Sequence, residues 1–137
     1  MKTYTSNSEE ATFKLAKSIS SNFKGDEIVL LVGELGAGKT VFTKGIAAGL
    51  EFADHNRVCS PSYTLINLYK AKFPIIHIDL YRLENKDDIF GLGWEDYLGQ
   101  GVIVIEWADK LDFKGPAIRV LIKVGENEQR LISLEYS

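Results

Sequence analysis

Residues 33–40, GELGAGKT, constrain this chain more than any other stretch. They fit the pattern G-x-x-x-x-G-K-[ST], which forms a phosphate-binding loop between a buried strand and a helix. Before the loop, residues 28–32 (IVLLV) are an unbroken aliphatic run, typical of a strand buried on both faces. After it, Phe42, Ile46 and Leu50 recur at helical spacing, and Gly49 marks a helix end. The sequence therefore predicts a phosphate-binding loop in a strand–loop–helix context.

The residue types in this loop suit the binding of phosphate. Gly36 and Gly38 allow backbone conformations that turn successive N–H groups inward, toward phosphate oxygens. The start of the following helix adds partial positive charge at the same place. Lys39 is expected to reach the β- and γ-phosphates, and the Thr40 hydroxyl to bind Mg²⁺. Because a loop lysine at a helix start has no core contact in this pattern, we expect Lys39 to bind nucleotide without supporting the fold.

Length and composition indicate an ordinary globular chain. Its 137 residues suit one domain over residues 1–137. With 16 basic and 19 acidic residues, the net charge of −3 argues against a protein that binds nucleic acid on its own. Cys59 is a single cysteine, so an internal disulfide is excluded and a reducing compartment is favoured. The sequence has neither a signal-peptide pattern nor a run near the ~20 apolar residues of a membrane helix, so we expect a cytoplasmic location without membrane attachment.

The remaining pattern predicts a mixture of strands and helices. An edge strand is expected at residues 2–5, and a helix is expected to run from about residue 8 to Asn22. Residues 63–69 and 74–79 are predicted to form a hairpin, as are residues 118–124 and 131–136. Residues 102–105 (VIVI) predict a second fully buried strand.

Two carboxylates stand directly at the ends of predicted strands. Asp79 ends one strand and Glu106 follows another, and ligand sites of α/β proteins form at such carboxyl ends. Carboxylate oxygens are ligands that Mg²⁺ prefers. Period-two alternation places His77 on the same face as Asp79, so His77 either orients that carboxylate or is a satisfied core residue. We therefore predict that Asp79 and Glu106 act together with the phosphate loop.

Three other functions remain as alternatives. Residues 85–88 (NKDD) fit the guanine-reading pattern of GTPases, but they do not directly follow an apolar strand, and a helix start capped by Asn85 explains them better. A small-molecule kinase usually has an arginine-bearing lid, and no insertion of that size is present. The third alternative is a nucleotide-gated binding module with negligible hydrolysis of its own.

Several motifs together resemble the TsaE (YjeE) family of bacterial ATPases in tRNA threonylcarbamoyladenosine (t6A37) biosynthesis. They are residues 33–40 (GELGAGKT), 60–65 (SPSYTL), 77–83 (HIDLYRL), 91–97 (GLGWEDY) and 106–107 (EW). Their order and spacing match over nearly the whole chain. The resemblance implies an α/β, P-loop NTPase-like fold with a largely parallel central sheet, added antiparallel strands and flanking helices.

The resemblance also assigns roles to individual residues. ATP is expected to contact Leu35, Gly36, Ala37, Gly38, Lys39, Thr40, Asp79 and Arg130, and Mg²⁺ to be held by Thr40 and Glu106. Asp79 and Lys39 are expected to serve catalysis. Ser60, Ser62 and Thr64 resemble a switch-like loop that senses the nucleotide, although Ser62 stands where the family usually has threonine. Partners implied by the resemblance are TsaB and TsaD, an assembly that the ATPase resets or activates, with tRNA contacted only indirectly.

Overall fold

The computed structural model describes residues 1–34 and 36–137. The strands in this part of the chain are β1 (Lys2–Ser6), β2 (Ile28–Gly33), β3 (Ile66–Tyr69), β4 (Ile75–Asp79), β5 (Val102–Glu106), β6 (Ile118–Val124) and β7 (Arg130–Tyr136). The helices are α1 (Glu9–Ser20), α2 (Lys39–Gly49) and α3 (Lys86–Gly91), with short 3-10 turns at His55–Arg57, Trp94–Tyr97, Ala108–Lys110 and Glu126–Glu128. The role predicted for Leu35 lies outside the described residues.

The strands form one mixed sheet in the order β1-β7-β6-β2-β5-β4-β3. β2 runs parallel to both β5 and β6, and β4 runs parallel to β5. The outer pairs β1–β7, β6–β7 and β3–β4 are antiparallel. The predicted α/β class, with a parallel centre and added antiparallel strands, is confirmed. Because the four central strands run the same way, their carboxyl ends meet at one edge of the sheet.

The sheet separates two cores, as the unbroken apolar strands predict. The core on the side of α1 and α2 includes Ala16, Val29, Leu31, Phe42, Ile46, Ile75 and Val104. The core on the opposite side includes Leu30, Ile76, Ile78, Ile89, Trp94 and Ile105. Alternation along β4 is therefore as predicted. At the carboxyl ends of β4 and β5 this apolar pattern gives way to Asp79 and Glu106.

Two glycines let α1 and α2 approach each other closely. A Cβ atom at Gly45 would lie 2.5 Å from the carbonyl oxygen of Phe13, and one at Gly49 would lie 1.9 Å from Ser20 Oγ. Gly49 ends α2 as predicted, and its lack of a side chain also serves this contact. The contact anchors α2, whose first residue is Lys39.

Two predicted boundaries differ from the structure by two or more residues, and one cap is confirmed. β3 begins at Ile66 rather than at residue 63, because the preceding residues form a turn in which the Leu65 N–H donates to the Pro61 carbonyl oxygen at 2.7 Å. Leu65 has φ 68°, a left-handed value that no strand accommodates. Helix α1 ends at Ser20, two residues before the predicted end. Asn85 Oδ1 accepts the Asp88 N–H at 2.9 Å, which confirms the helix-cap interpretation of residues 85–88.

No helix within residues 1–34 and 36–137 combines the length and apolar character that crossing a membrane requires.

Candidate nucleotide and metal site

A cleft of about 350 Å³ opens at the edge where the central strands end. It lies between the start of α2, the ends of β4 and β5, and the turn that precedes β3. The lining residues include Gly36, Gly38, Lys39, Thr40, Ser60, Ser62, Asp79, Tyr81, Glu106 and Trp107. Most of the predicted site residues are therefore brought together from four separate segments of the chain.

The backbone of the loop explains its two glycines. Gly36 has φ 79° and Gly38 has φ 110°, in the region that residues with a Cβ rarely adopt. A Cβ at either position would meet nothing within 4 Å, so backbone conformation and not crowding requires glycine there. Gly38 occupies the N-cap of α2, and the Phe42 N–H donates to its carbonyl oxygen at 2.9 Å. The first amides of α2 have no partner within the helix, which makes them donors for an anion.

Lys39 is more closely integrated than the sequence suggests. Its side chain is 5% exposed, and Nζ donates to the carbonyl oxygens of Gly33 at 2.6 Å and Glu34 at 2.9 Å. Nζ also lies 4.1 Å from the ring centroid of Trp107. The expectation that Lys39 makes no core contact is therefore wrong, because the ammonium ties the end of β2 to the start of α2. Burial lowers the pKa of Lys39, while the nearby carboxylates, led by Glu106, act in the opposite direction.

Arg130 and Ala37 support the loop from behind. The Ala37 N–H donates to the Glu34 carbonyl oxygen at 3.0 Å, so this amide is used within the loop. Arg130, at the start of β7, donates through Nε to the carbonyl oxygen of Ala37 at 3.0 Å and through a terminal nitrogen to that of Gly36 at 3.3 Å. Arg130 therefore restrains the backbone of the loop through two of its carbonyl oxygens. Arg130 itself lines an adjacent cleft of about 300 Å³, which shares Gly36 and Gly38 with the first.

Asp79 is buried and accepts three hydrogen bonds. Its Oδ2 accepts from the hydroxyl of Ser60 and from that of Ser62 at 3.2 Å, while Oδ1 accepts from the Tyr81 N–H at 2.9 Å. The two serines belong to the predicted switch-like loop. Thr64 does not join them, because its side chain is exposed and donates to Asn67 Oδ1 at 2.8 Å.

Glu106 is buried against a histidine. His77 is fully buried, and its Nε2 makes a short hydrogen bond with Glu106 Oε2. A carboxylate oxygen accepts, so the ring nitrogen donates. Of the two interpretations of His77, orientation of Asp79 is not what the structure shows: the ring contacts the other predicted carboxylate. Asp79 and Glu106 are paired in register on neighbouring parallel strands, and Glu106 reaches back toward His77.

Trp107 closes the side of the cleft behind Lys39. Its backbone is left-handed, with φ 59° and ψ 40°, which is uncommon for a bulky residue and turns the chain immediately after β5. The indole contacts Tyr81 with ring centroids 4.9 Å apart. The indole therefore contacts the Lys39 ammonium and lines the cleft, so we expect its fluorescence to change when a ligand binds there.

Sequence reasoning missed Tyr81, although a signal for it was present. An aspartate often accepts a hydrogen bond from the backbone N–H two residues further on. Asp79 and Tyr81 have this spacing, and the hydrogen bond is made. The contact of Lys39 with Trp107 had no local signal, since the two residues lie 68 positions apart in the sequence.

Comparison with known proteins identifies the family. The family model for TsaE, described as threonylcarbamoyl adenosine biosynthesis protein TsaE, matches residues 6–132. The chain belongs to the TsaE family. A Rickettsia conorii protein named tRNA threonylcarbamoyladenosine biosynthesis protein TsaE is 40% identical over 134 residues, covering 96% of this chain and 76% of that protein. A Bacillus subtilis protein of the same name is 38% identical over 135 residues, covering 96% and 83%.

A solved structure agrees with this assignment. The crystal structure of Bacillus subtilis YdiB superposes with a TM-score of 0.74 at 30% sequence identity. The superposition covers 97% of this chain and 83% of that one. The family resemblance of the motifs is thus confirmed over nearly the full length.

The oxygen ligands in the cleft suit a magnesium ion that is bound jointly by the protein and by phosphate. Thr40, Glu106 and Asp79 present hydroxyl and carboxylate oxygens, the hard ligands that Mg²⁺ takes. Among the described residues, no cluster of three or more His, Cys, Asp or Glu side chains forms a complete cage for a metal. Mg²⁺ commonly binds through one or two carboxylates together with substrate phosphates and water. The residues therefore fit this ion.

Proposed function

We propose that this protein binds ATP with Mg²⁺ and hydrolyses it as the ATPase of t6A37 biosynthesis in tRNA. The observation that carries the proposal is the meeting of Lys39, Thr40, Asp79 and Glu106 in one cleft beside a phosphate-type loop. Family membership supports the pathway. The unit is a single P-loop NTPase-like domain in the cytoplasm.

The phosphates are proposed to lie against the start of α2. There the loop amides around Gly36, Gly38 and Thr40 donate to phosphate oxygens, and Lys39 exchanges its carbonyl partners for the β- and γ-phosphates. The adjacent cleft, which shares Gly36 and Gly38 with the first, leaves room for the rest of the nucleotide. Arg130 then acts on the nucleotide indirectly, through the loop carbonyls that it holds.

Thr40 and Glu106 are proposed to hold the magnesium ion. When bound, Mg²⁺ neutralises the charge that develops on the β- and γ-phosphates. Asp79, on the strand beside Glu106, is proposed to orient the attacking water near the γ-phosphate. Tyr81 fixes one oxygen of Asp79 through a backbone hydrogen bond, which limits how the carboxylate rotates.

We infer from the surroundings of Asp79 that the isolated chain turns over slowly. Three donors already occupy its carboxylate, two of them from the loop of Ser60 and Ser62. Because a carboxylate has about four acceptor sites, a water can use only the one that remains on Oδ1 unless a serine hydroxyl moves away. We therefore infer that TsaB and TsaD raise turnover by moving this loop, that the ATPase resets or activates their assembly, and that tRNA is contacted only through them. The same observation favours the second candidate, a nucleotide-gated binding module with negligible hydrolysis.

Steady-state phosphate release tests the proposal. The chain is assayed alone, with the TsaB–TsaD pair, and as Lys39→Ala in the same mixture. We expect slow release alone, strong stimulation by the pair and loss of both in Lys39→Ala. The ATP affinity of Lys39→Ala should be 10- to 100-fold below that of the unaltered protein, which is about the scale of a lost charge-assisted hydrogen bond. Lys44→Ala, on the same helix, is the matched control and should behave as the unaltered protein.

Binding is followed separately by Trp107 fluorescence in a Trp94→Phe background. Tight binding without hydrolysis, even with the pair, would support the binding module instead. Fast phosphate release that is the same with and without the pair would indicate an ATPase that needs no partner. Because Lys39 also ties the loop together, its variant should melt at a lower temperature than the Lys44 control, and ATP binding is compared well below both transitions.

A further inference from the structure

His77 is the one imidazole in the described residues that is buried beside the cleft. It lies on β4 two residues before Asp79, where the neighbouring strand places Val104 opposite it. Its Nε2 donates to Oε2 of Glu106, a carboxylate that is itself only 2% exposed. A buried carboxylate without a hydrogen-bond partner would be strongly unfavourable, and His77 supplies that partner.

The second ring nitrogen is also held. His77 Nδ1 lies 3.4 Å from the hydroxyl of Tyr69, which in turn accepts from Asn67 Nδ2 at 3.4 Å. Tyr69 comes from β3, and its ring lies 6.1 Å from the imidazole, centroid to centroid. Burial raises the pKa of Tyr69, so its hydroxyl stays protonated at neutral pH. The imidazole is thus fixed from both sides, between β3 and β5.

We propose that His77 is a positioning residue for the magnesium site. By engaging Oε2, it fixes the Glu106 side chain and leaves Oε1 as the oxygen that would be available to a metal ion. This inference rests on the proposed function, since it concerns how Glu106 meets Mg²⁺. Partners that orient metal ligands typically change metal affinity by 10- to 100-fold when removed. A merely structural histidine would instead affect stability and nucleotide binding alike, with or without metal.

The test measures ADP affinity by calorimetry in EDTA and across a Mg²⁺ titration. His77→Leu removes the donor while keeping an apolar core. We expect it to raise the Mg²⁺ concentration needed for half-maximal enhancement about 10-fold or more, with ADP affinity in EDTA changed by less than about threefold. His77→Gln keeps an amide donor at a similar reach and should restore the Mg²⁺ requirement to near that of the unaltered protein. Glu106→Gln is the reference for losing the ligand itself.

The control is Ile76→Val, a core change on the same strand whose side chain packs on the opposite face. It should leave the Mg²⁺ requirement unchanged. If His77→Leu resembles this control, or if His77→Gln fails as badly as His77→Leu, His77 is only a core residue. If His77→Leu does not fold, Tyr69→Phe decides: it frees the far side of the ring and should raise the Mg²⁺ requirement about threefold, and no change would overturn the inference.

The unaltered protein distinguishes this inference from the proposal beneath it. Failure to bind ADP under any condition would contradict the proposed nucleotide site. ADP binding with the same affinity with and without Mg²⁺ would contradict the proposed metal site and, with it, the role of His77. If Mg²⁺ enhances ADP binding to the unaltered protein and His77→Leu has the same Mg²⁺ requirement, only the positioning role of His77 is overturned.

Discussion

The two carboxylates of the cleft lie side by side yet are held in opposite ways. Asp79 and Glu106 are paired in register on parallel strands, and both are almost fully buried. Glu106 is fixed from within the sheet, by an imidazole that has no exposed surface. Asp79 is held largely from outside it, by the hydroxyls of Ser60 and Ser62 in a turn.

The difference indicates which part of the site is fixed and which part changes. A partner on a central strand moves only if the sheet moves, whereas connecting segments are generally more mobile than the elements they join. Glu106 therefore suits a constant task, such as holding a metal. Asp79 suits a task that is switched on and off with the position of a loop.

The largest expected effect concerns Asp79. Asp79→Asn should cut partner-stimulated turnover by about 10²-fold or more, because the group that orients the attacking water acts mainly in the transition state, while ATP affinity changes by less than about threefold. Phosphate release and ATP binding are measured on the same preparation. A variant that binds ATP poorly but hydrolyses bound ATP at the normal rate would show that the two carboxylates have been assigned the wrong roles.

Glu106→Gln should have the next largest effect, and of a different kind. Losing a charged ligand should raise the Mg²⁺ concentration required for ATP binding by about 10- to 100-fold, because Mg²⁺ prefers carboxylate oxygen. At saturating Mg²⁺, turnover should recover to a large extent, whereas that of Asp79→Asn should not. Equal responses of both variants to Mg²⁺ would erase the distinction between a fixed and a switched carboxylate.

The smallest expected effect tests the loop. Ser62→Ala removes one hydroxyl from Asp79 Oδ2. Hydrogen bonds to charged groups contribute about 1.5–3 kcal/mol, and this one is long, at 3.2 Å, so we assign it about 1 kcal/mol. We expect turnover of the isolated chain to rise by about fivefold and stimulation by the TsaB–TsaD pair to shrink accordingly. Ser21→Ala, whose hydroxyl bonds to the Ser18 carbonyl oxygen at the end of α1, is the matched control. Lower turnover in Ser62→Ala would mean that the hydroxyl assists Asp79 instead of restraining it.

Local sequence was sufficient for the elements that frame the site. The aliphatic run of residues 28–32 and the glycines Gly36 and Gly38 predicted the strand, the loop and the start of α2, because each depends on neighbouring residues alone. The placement of Asp79 and Glu106 at one edge followed from parallel strand direction. The first residue of β3 was missed, since the left-handed backbone of Leu65 leaves no mark on a period-two pattern.

What the sequence by itself determined is the family, the α/β class and most of the residues that line the cleft. Only the tertiary structure decided which side chains are in contact at the site. His77 contacts Glu106 and not Asp79, Lys39 contacts Trp107, and Arg130 donates to the carbonyl oxygen of Ala37. The physical reason is distance along the chain. Residue type and spacing fix a side chain's element and face, whereas contacts between residues 29 to 93 positions apart depend on strand order and register, which no local pattern contains.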